Sequence, residues 1–204
     1  MGSQIDLFNR ALGYIGTRSI QAFSDNTKEA SLCRQNYDLC RRVVLRMFPW
    51  RFASSRAVLS TPNANPVAFE WTYAYDLPSD FVRVITVGNA IDVFNPDIYW
   101  IREGEQILTD ETILYMRYVY DYNDVDTFDP IFFESLALYL AWSICYSVTG
   151  SDTKVKSVWD DFQKIIKTGK FVDSTEHPWQ SLDADMWINS RVGPNQGFVR
   201  DPQT

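Results

Sequence analysis

The sequence predicts an α+β fold: a four-helix bundle formed by both ends of the folded region, an inserted small antiparallel β domain, and an extended C-terminal arm. Three observations lead to this prediction. Apolar residues recur at helical spacing towards both ends, alternate at strand spacing in the middle, and lose periodicity near the C-terminus. We therefore assign residues 1–48 and 129–170 to the helical domain, residues 49–128 to a β barrel or sandwich, and residues 171–204 to a docking arm.

The composition is that of a globular protein with an acidic surface. Of the 204 residues, 46% are hydrophobic and 15% aromatic, and 26 acidic against 19 basic side chains give a net charge of −7. Because such a chain repels phosphates, a sequence-reading DNA binder is not expected. One histidine and three cysteines are too few for the usual structural zinc sites, and we expect no metal and no cofactor. The most apolar run, from Leu136 to Val148, is too short to span a bilayer, so we expect no membrane association.

Two amphipathic helices are predicted before residue 48. The first runs from Gln4 to Ile15 and has an apolar residue every third or fourth position. The second begins near Asp25 or Thr27 and ends before Pro49, because proline disfavours helical backbone in the preceding residue. Its apolar face carries Ala30, Cys33, Tyr37, Cys40 and Val44. Its opposite, solvated face is predicted to carry Arg34, Arg41, Arg42 and Arg46.

The period changes from helix to strand in the middle of the chain. Four alternate aromatic residues are expected to line one face of a single strand: Phe69, Trp71, Tyr73 and Tyr75. The same alternation recurs at Leu114, Met116, Tyr118 and Tyr120. Further strands are predicted from Phe81 to Val87 and from Ile98 to Ile101, with proline and glycine between them. Short strands of this kind are typical of a small antiparallel barrel or sandwich.

Two more helices are predicted after residue 129. Asp129 followed by Pro130 is a strong helix start, and the following run is apolar almost all round, which is typical of a buried helix. A fourth helix, capped by Ser151, is expected to end before Gly169. Its inner face carries Val155, Val158, Trp159, Phe162, Ile165 and Ile166.

Few residues in the chain are suited to catalysis. The histidine, His177, lies in the predicted tail, and there is neither a phosphate-binding glycine loop nor a zinc-protease motif. Three carboxylates on one predicted hairpin have the chemistry of a glycosidase pair: Glu103, Glu105 and Asp110. The aromatic strands have the chemistry of a platform for single-stranded nucleic acid, although the acidic charge opposes it. We expect no catalytic residues, and both readings stay open as alternatives.

Charge is distributed unevenly along the chain. From Lys28 to Arg56 there are seven basic residues and two acidic ones, whereas from Asp92 to Asp129 there are ten acidic residues and two arginines. A chain that is basic on one helix and acidic in one lobe can bind a copy of itself through two different surfaces. Such a contact closes into a ring if the rotation between copies is suitable.

The first 85 or so residues resemble the tail tubular protein A family, the head-to-tail adaptors of short-tailed bacteriophages. Two runs carry most of the resemblance, NRALGYIG at residues 9–16 and FPWRFA at residues 48–53. The other matching positions are Ile20, Asp25, Ala30, Cys33, Tyr37, Arg41, Arg42, Leu59, Tyr73, Tyr75, Leu77, Pro78, Asp80 and Arg83.

The resemblance implies a structural protein of the virion tail, assembled in the host cytoplasm. Such adaptors have a helical and a β domain and form a dodecameric ring that joins the portal protein to the tail nozzle protein. DNA would pass through the ring without specific binding, since an acidic channel repels phosphates. Members of the family grip the portal with their C-terminal segment, which would give the arm of residues 171–204 its purpose. Within that arm we assign portal binding to Trp179, Trp187 and Phe198 on chemical grounds, because aromatic side chains are typical anchors of protein interfaces.

Within the ring, we assign the subunit interface to three arginines that would face the acidic flank of the neighbouring subunit: Arg34, Arg41 and Arg46. The alternative function is a tail-associated carbohydrate-binding or glycan-hydrolysing protein that uses Glu103, Glu105 and Asp110.

Overall fold

Four α-helices and two small antiparallel sheets make up the computed structural model of the chain, which describes residues 3–63, 69–89 and 98–175. The α+β class is therefore confirmed. The helices are α1 (Gln4–Ile15), α2 (Lys28–Met47), α3 (Pro130–Thr149) and α4 (Asp152–Thr175). The strands are β1 (Ser54–Leu59), β2 (Tyr73–Asp76), β3 (Phe81–Gly88), β4 (Trp100–Glu103), β5 (Gln106–Thr109) and β6 (Leu114–Tyr120). Two short 3-10 helices are η1 (Arg51–Ala53) and η2 (Val125–Thr127).

Local capping groups start the helices where the sequence predicts them. The Ser3 hydroxyl accepts the Asp6 N–H, and the Asp6 carboxylate accepts the Ser3 N–H in return, which forms a capping box at α1. Thr27 caps α2 through the Ala30 N–H. Asp129 caps α3, with proline at the first helical position. The predicted starts of these three helices are confirmed.

Helix α4 is longer than predicted. The Ser151 hydroxyl accepts the Lys154 N–H at its start, as expected, but the helix continues through Gly169 to Thr175. Gly169 packs tightly against α3, since a Cβ atom there would lie 3.0 Å from Cγ2 of Ile131. The glycine therefore provides close packing and does not end the helix. Residues 171–175, the start of the predicted arm, are helical.

The strands form two three-stranded antiparallel sheets, ordered β1-β6-β3 and β2-β5-β4. In the first sheet, Leu59 pairs with Leu114 and Ser54 pairs with Val119. In the second, Tyr73 pairs with Thr109. Seven buried residues from both sheets form one hydrophobic cluster: Leu59, Tyr75, Val87, Ile107, Leu114, Met116 and Tyr118.

The hairpin between β4 and β5 depends on a glycine. Glu103 pairs with Gln106, so only two residues make the turn, and Gly104 takes the first of these positions with a φ of +57°. We expect Gly104→Ala to lower the free energy of unfolding by about 1–2 kcal/mol, because a Cβ is strained in left-handed backbone. Gly13→Ala in α1, which meets open space, should raise it by about 0.5–1 kcal/mol. Urea unfolding measures both, and a Gly104 variant as stable as the wild type would contradict the turn assignment.

The prediction of one strand bearing four alternate aromatic residues is wrong. Strand β2 begins only at Tyr73, and Phe69 is 74% exposed. Glu70 has a φ of +69°, which no strand residue adopts, and the Asp110 carboxylate accepts both the N–H and the hydroxyl of Thr72. The chain therefore turns just before β2, and only Tyr73 and Tyr75 lie in the strand.

A second and larger hydrophobic core contains residues of all four helices. Fully buried representatives are Leu7 and Leu12 of α1, Val44 and Leu45 of α2, Phe132 and Leu136 of α3, and Phe162 of α4. An aromatic cluster joins this core to the segments that enter and leave the sheets: Phe48, Trp50, Phe52, Tyr122, Phe128 and Phe132.

Helix α3 is, in the described part of the chain, the helix long and apolar enough to cross a membrane. The helix has 20 residues and is longer than the run from Leu136 to Val148. The prediction that this segment is too short to span a bilayer therefore does not hold for the whole helix. Half of its apolar window is buried. Leu136, Leu140 and Ile144 lie in the core that α3 shares with α1 and α2.

The chain divides into two compact units, Met1–Lys170 and Phe171–Thr204. Both hydrophobic cores belong to the first unit. Apart from the end of α4, the second unit lies outside the described residues, as do the predicted portal-binding residues Trp179, Trp187 and Phe198.

Candidate functional site

Arg41, one of the three predicted interface arginines, lies inside the protein. Its side chain is 4% exposed, and its Nη1 donates to Oδ1 of Asp121 at 2.5 Å and to the carbonyl of Tyr122 at 2.6 Å. Its neighbour Arg42 reaches the other oxygen of Asp121 at 3.0 Å but is 63% exposed. The prediction that Arg41 lies on a solvated face is therefore wrong. The residue joins α2 to the segment that follows β6.

The other two arginines lie nearer the surface and bind backbone carbonyls. Arg34 donates from Nη1 to the carbonyls of Phe23 and Asp25, and its guanidinium lies 5.8 Å from the centre of the Phe23 ring. Arg46 is exposed and donates to the carbonyl of Val82 at 2.8 Å. These contacts hold α2 against the preceding loop and against β3. Their assignment to a subunit interface stays a prediction.

Within the described residues, the three candidate glycosidase carboxylates have different surroundings. Glu103 and Glu105 flank Gly104 on the exposed hairpin. The Asp110 carboxylate accepts the Thr72 N–H at 2.9 Å and the Thr72 hydroxyl at 2.8 Å. A groove of about 310 Å³ is lined by Glu105 but by neither of the other two. Among residues 3–63, 69–89 and 98–175, no three histidine, cysteine, aspartate or glutamate side chains are grouped to hold a metal.

Two grooves carry opposite charge, and neither is predicted by the sequence. The basic groove has a volume of about 440 Å³ and is lined by Arg51, Ser54, Ser55, Arg56 and Arg117. The acidic groove has a volume of about 700 Å³ and is lined by Asp6, Arg10, Val125, Asp126, Phe128, Pro130, Phe133 and Glu134. Each combines segments that are distant in the sequence, so only the strand register or the helix packing brings its residues together.

One wall of the acidic groove is a hydrogen-bonded group that joins α1 to α3. The Glu134 carboxylate binds Nε of Arg10 at 3.0 Å and accepts the Tyr14 hydroxyl at 2.7 Å. Burial raises the pKa of Tyr14, and the hydrogen bond to Glu134 raises it further. Tyr14 therefore stays a neutral donor at physiological pH, and Glu134 keeps both partners.

Two large aromatic side chains are exposed in the segments that lead into β2 and β4. Phe69 and Tyr99 are 74% and 77% exposed. Tyr99 lies beside the end of β5, because its carbonyl accepts the Thr109 hydroxyl at 2.9 Å, and Phe69 precedes Thr72, which binds Asp110. Large exposed aromatic residues are typical of surfaces that bind other proteins.

The three cysteines are free thiols, and all are buried. Burial raises the pKa of Cys33 to about 12 and that of the nearby Tyr37 to about 12, from ordinary values of 9 and 10. It also raises the pKa of Cys40. None of these groups is a reactive thiolate or phenolate near neutral pH.

These raised pKa values predict a loss of stability in alkali. The unfolded chain releases the Cys33 and Tyr37 protons from about pH 9–10, whereas the folded chain holds them to about pH 12. The unfolded state therefore binds fewer protons, and the free energy of unfolding falls between pH 9 and pH 12 while these groups leave it unchanged below pH 9. We expect Cys33→Ala to flatten this fall in urea unfolding across that range. A variant with the same slope as the wild type would contradict the prediction.

Comparison of the whole chain with protein-family models gives no match, and comparison with curated proteins gives none either.

Proposed function

We propose that this chain is a structural head-to-tail adaptor of a short-tailed bacteriophage, which forms a ring between the portal and the tail nozzle and lets DNA pass. The proposal rests on where the residues of the resemblance lie. Asn9 pairs with the backbone of Ile20 in both directions, at 2.8 and 3.0 Å. Asp25 accepts two backbone N–H groups, and Arg41 is the buried partner of Asp121. The matched positions therefore have structural roles in this fold, as positions shared within a family would.

The run FPWRFA supports the same proposal. Phe48, Trp50 and Phe52 belong to the aromatic cluster at the point where α2 leads into β1, and the Trp50 Nε1–H donates to the carbonyl of Val44 at 2.9 Å. This junction fixes how the β segment leaves the helices. In the proposed adaptor, the four helices form one bundle, the β segment is inserted between the second and third, and the remainder of residues 171–204 is the docking arm.

The charge of the chain suits a DNA channel. A net charge of −7 repels the phosphates of passing DNA, so the DNA would slide without being held. In the proposed ring, Arg34 and Arg46 stay candidates for contact with a neighbouring subunit, whereas Arg41 does not, because its side chain is buried. The exposed rings of Phe69 and Tyr99 are available to bind another tail protein.

The test is assembly on the portal. Purified chain mixed with portal protein should form a stoichiometric ring stacked on the portal ring, visible by electron microscopy and native mass spectrometry. The triple variant Trp179→Ala, Trp187→Ala, Phe198→Ala should fail to bind, because large aromatic residues dominate protein interfaces. Tyr146→Ala, which removes an aromatic side chain 62% exposed on α3, is the matched control and should bind normally. Wild-type chain that leaves the portal bare would contradict the proposal.

A further inference from the structure

The basic groove contains a pair of like charges that the fold does not neutralise. Arg56 of β1 and Arg117 of β6 are direct cross-strand partners on the same face of their sheet. Like charges at such positions destabilise a sheet. In the described part of the chain, neither guanidinium has an ion pair or a side-chain hydrogen bond. Arg51 also lines this groove.

The groove is therefore built for an oxyanion. The Ser54 hydroxyl already donates to the Trp50 carbonyl at 2.9 Å, so the guanidinium groups are the donors that this groove offers to an acceptor. An arginine fork binds a carboxylate or a phosphate through two parallel N–H donors. A bound anion would also remove the repulsion between Arg56 and Arg117.

The acidic groove has the complementary chemistry. Three carboxylates and one guanidinium line it, and the apolar rings of Phe128 and Phe133 form part of its wall. Asp6 and Glu134 have partners within the chain. The Asp126 carboxylate is exposed and, within the residues that the structure describes, accepts no hydrogen bond. Among the three carboxylates of this groove, Asp126 is therefore the one available to bind a second molecule.

We propose that the basic groove of one copy binds the acidic groove of a second copy, with Arg56 and Arg117 facing Asp126. The inference deepens the proposed function, on which it rests, by naming the surfaces through which the ring closes. Two different surfaces on one chain give a head-to-tail contact, which is the kind that builds rings. A second copy fits better than nucleic acid, because the chain as a whole carries −7 and repels phosphates.

The test uses two variants, each with one damaged groove. Arg56→Glu/Arg117→Glu removes the basic groove, and Asp126→Lys removes the acidic one. Each variant alone should be a monomer by sedimentation and native mass spectrometry at low salt, under conditions in which the wild type forms larger species. A 1:1 mixture still has one intact pair of grooves, so it should form a heterodimer and nothing larger.

Matched controls carry the same charge changes on the exposed surface of α4: Lys156→Glu/Lys167→Glu and Asp160→Lys. Both should self-associate like the wild type, and all association should weaken at least tenfold in high salt. A mixture that stays monomeric, or a wild type that is monomeric both free and on the portal, would overturn the inference. Duplex DNA that binds through Arg56 and Arg117, without self-association, would also overturn it and identify the ligand as a phosphate.

Parallel assembly on the portal separates the two proposals. If both groove variants complete the ring as well as the wild type, the groove pairing is wrong and the adaptor function stands. If the mixture forms the heterodimer but the wild type does not bind the portal, the groove pairing stands and the adaptor function fails.

Discussion

Replacement of Arg41 by alanine is expected to lower the free energy of unfolding by about 3–5 kcal/mol, as does removal of one partner from other buried ion pairs. The guanidinium is 4% exposed and binds both Asp121 and the Tyr122 carbonyl. Its loss removes the buried link between α2 and the segment after β6. It also leaves that carbonyl without this donor. Urea unfolding followed by circular dichroism measures the change.

Arg42→Ala is the matched control, because Arg42 binds the same carboxylate at 3.0 Å from the adjacent position on α2. Its side chain is 63% exposed, so the ion pair is screened by water and should contribute at most about 1 kcal/mol. Equal losses in the two variants would show that burial does not set the strength of this pair. A small loss of stability in the Arg41→Ala variant would contradict the burial of Arg41 in the core.

The position of Arg41 could have been predicted from spacing. Cys33, Tyr37, Arg41 and Leu45 recur every four residues and are all buried. Assignment by residue type placed Arg41 with the solvated arginines, whereas the helical period places it on the apolar face. What spacing could not supply is the partner, since Asp121 is brought to it only by the course of the chain after β6.

Features set by neighbouring residues were predicted well. The starts of α1, α2 and α3 depend on Ser3, Thr27 and Asp129, whose side chains bond N–H groups two or three residues further on. The end of α4 was missed because a glycine late in a helix is compatible with either a cap or a close contact. Only the position of Ile131 shows that the contact is the reason.

Alternation of side chains was a less reliable guide than capping. Strand β6 alternates over Leu114, Met116 and Tyr118 and pairs along both of its edges. The residues before Tyr73 alternate equally well, but their would-be partner strand ends at Thr109. A strand needs a hydrogen-bonding neighbour along its whole length, and the sequence alone does not show where that neighbour stops.

The candidate grooves depended most on information that is absent from the sequence. Arg56 and Arg117 face each other only through the register of β1 with β6. Asp126 and Glu134 share a groove only because η2 leads directly into α3 beside α1. Counts of charge along the chain predicted a basic region from Lys28 to Arg56 and an acidic one from Asp92 to Asp129, but the basic groove includes Arg117 of the second segment.

Phe132→Ala is expected to lower the free energy of unfolding by about 3–5 kcal/mol, the usual cost of removing a buried phenyl ring. Phe132 is completely buried, and its ring centre lies 5.1 Å from Trp50, 4.9 Å from Phe52 and 4.8 Å from Phe128. These rings join the helical core to both ends of the β segment. The variant should therefore also lose near-ultraviolet circular dichroism from the aromatic cluster.

Phe69→Ala makes the same chemical change at a ring that is 74% exposed, and it should alter the free energy of unfolding by less than about 0.5 kcal/mol. The pair of variants separates the two readings of the aromatic residues. If Phe69 lined a buried strand face, as the alternation of the sequence predicts, both substitutions would be costly. If the chain turns at Glu70, as the structure shows, only Phe132→Ala lowers the free energy of unfolding substantially. The exposed Phe69 ring is then available to contact another protein.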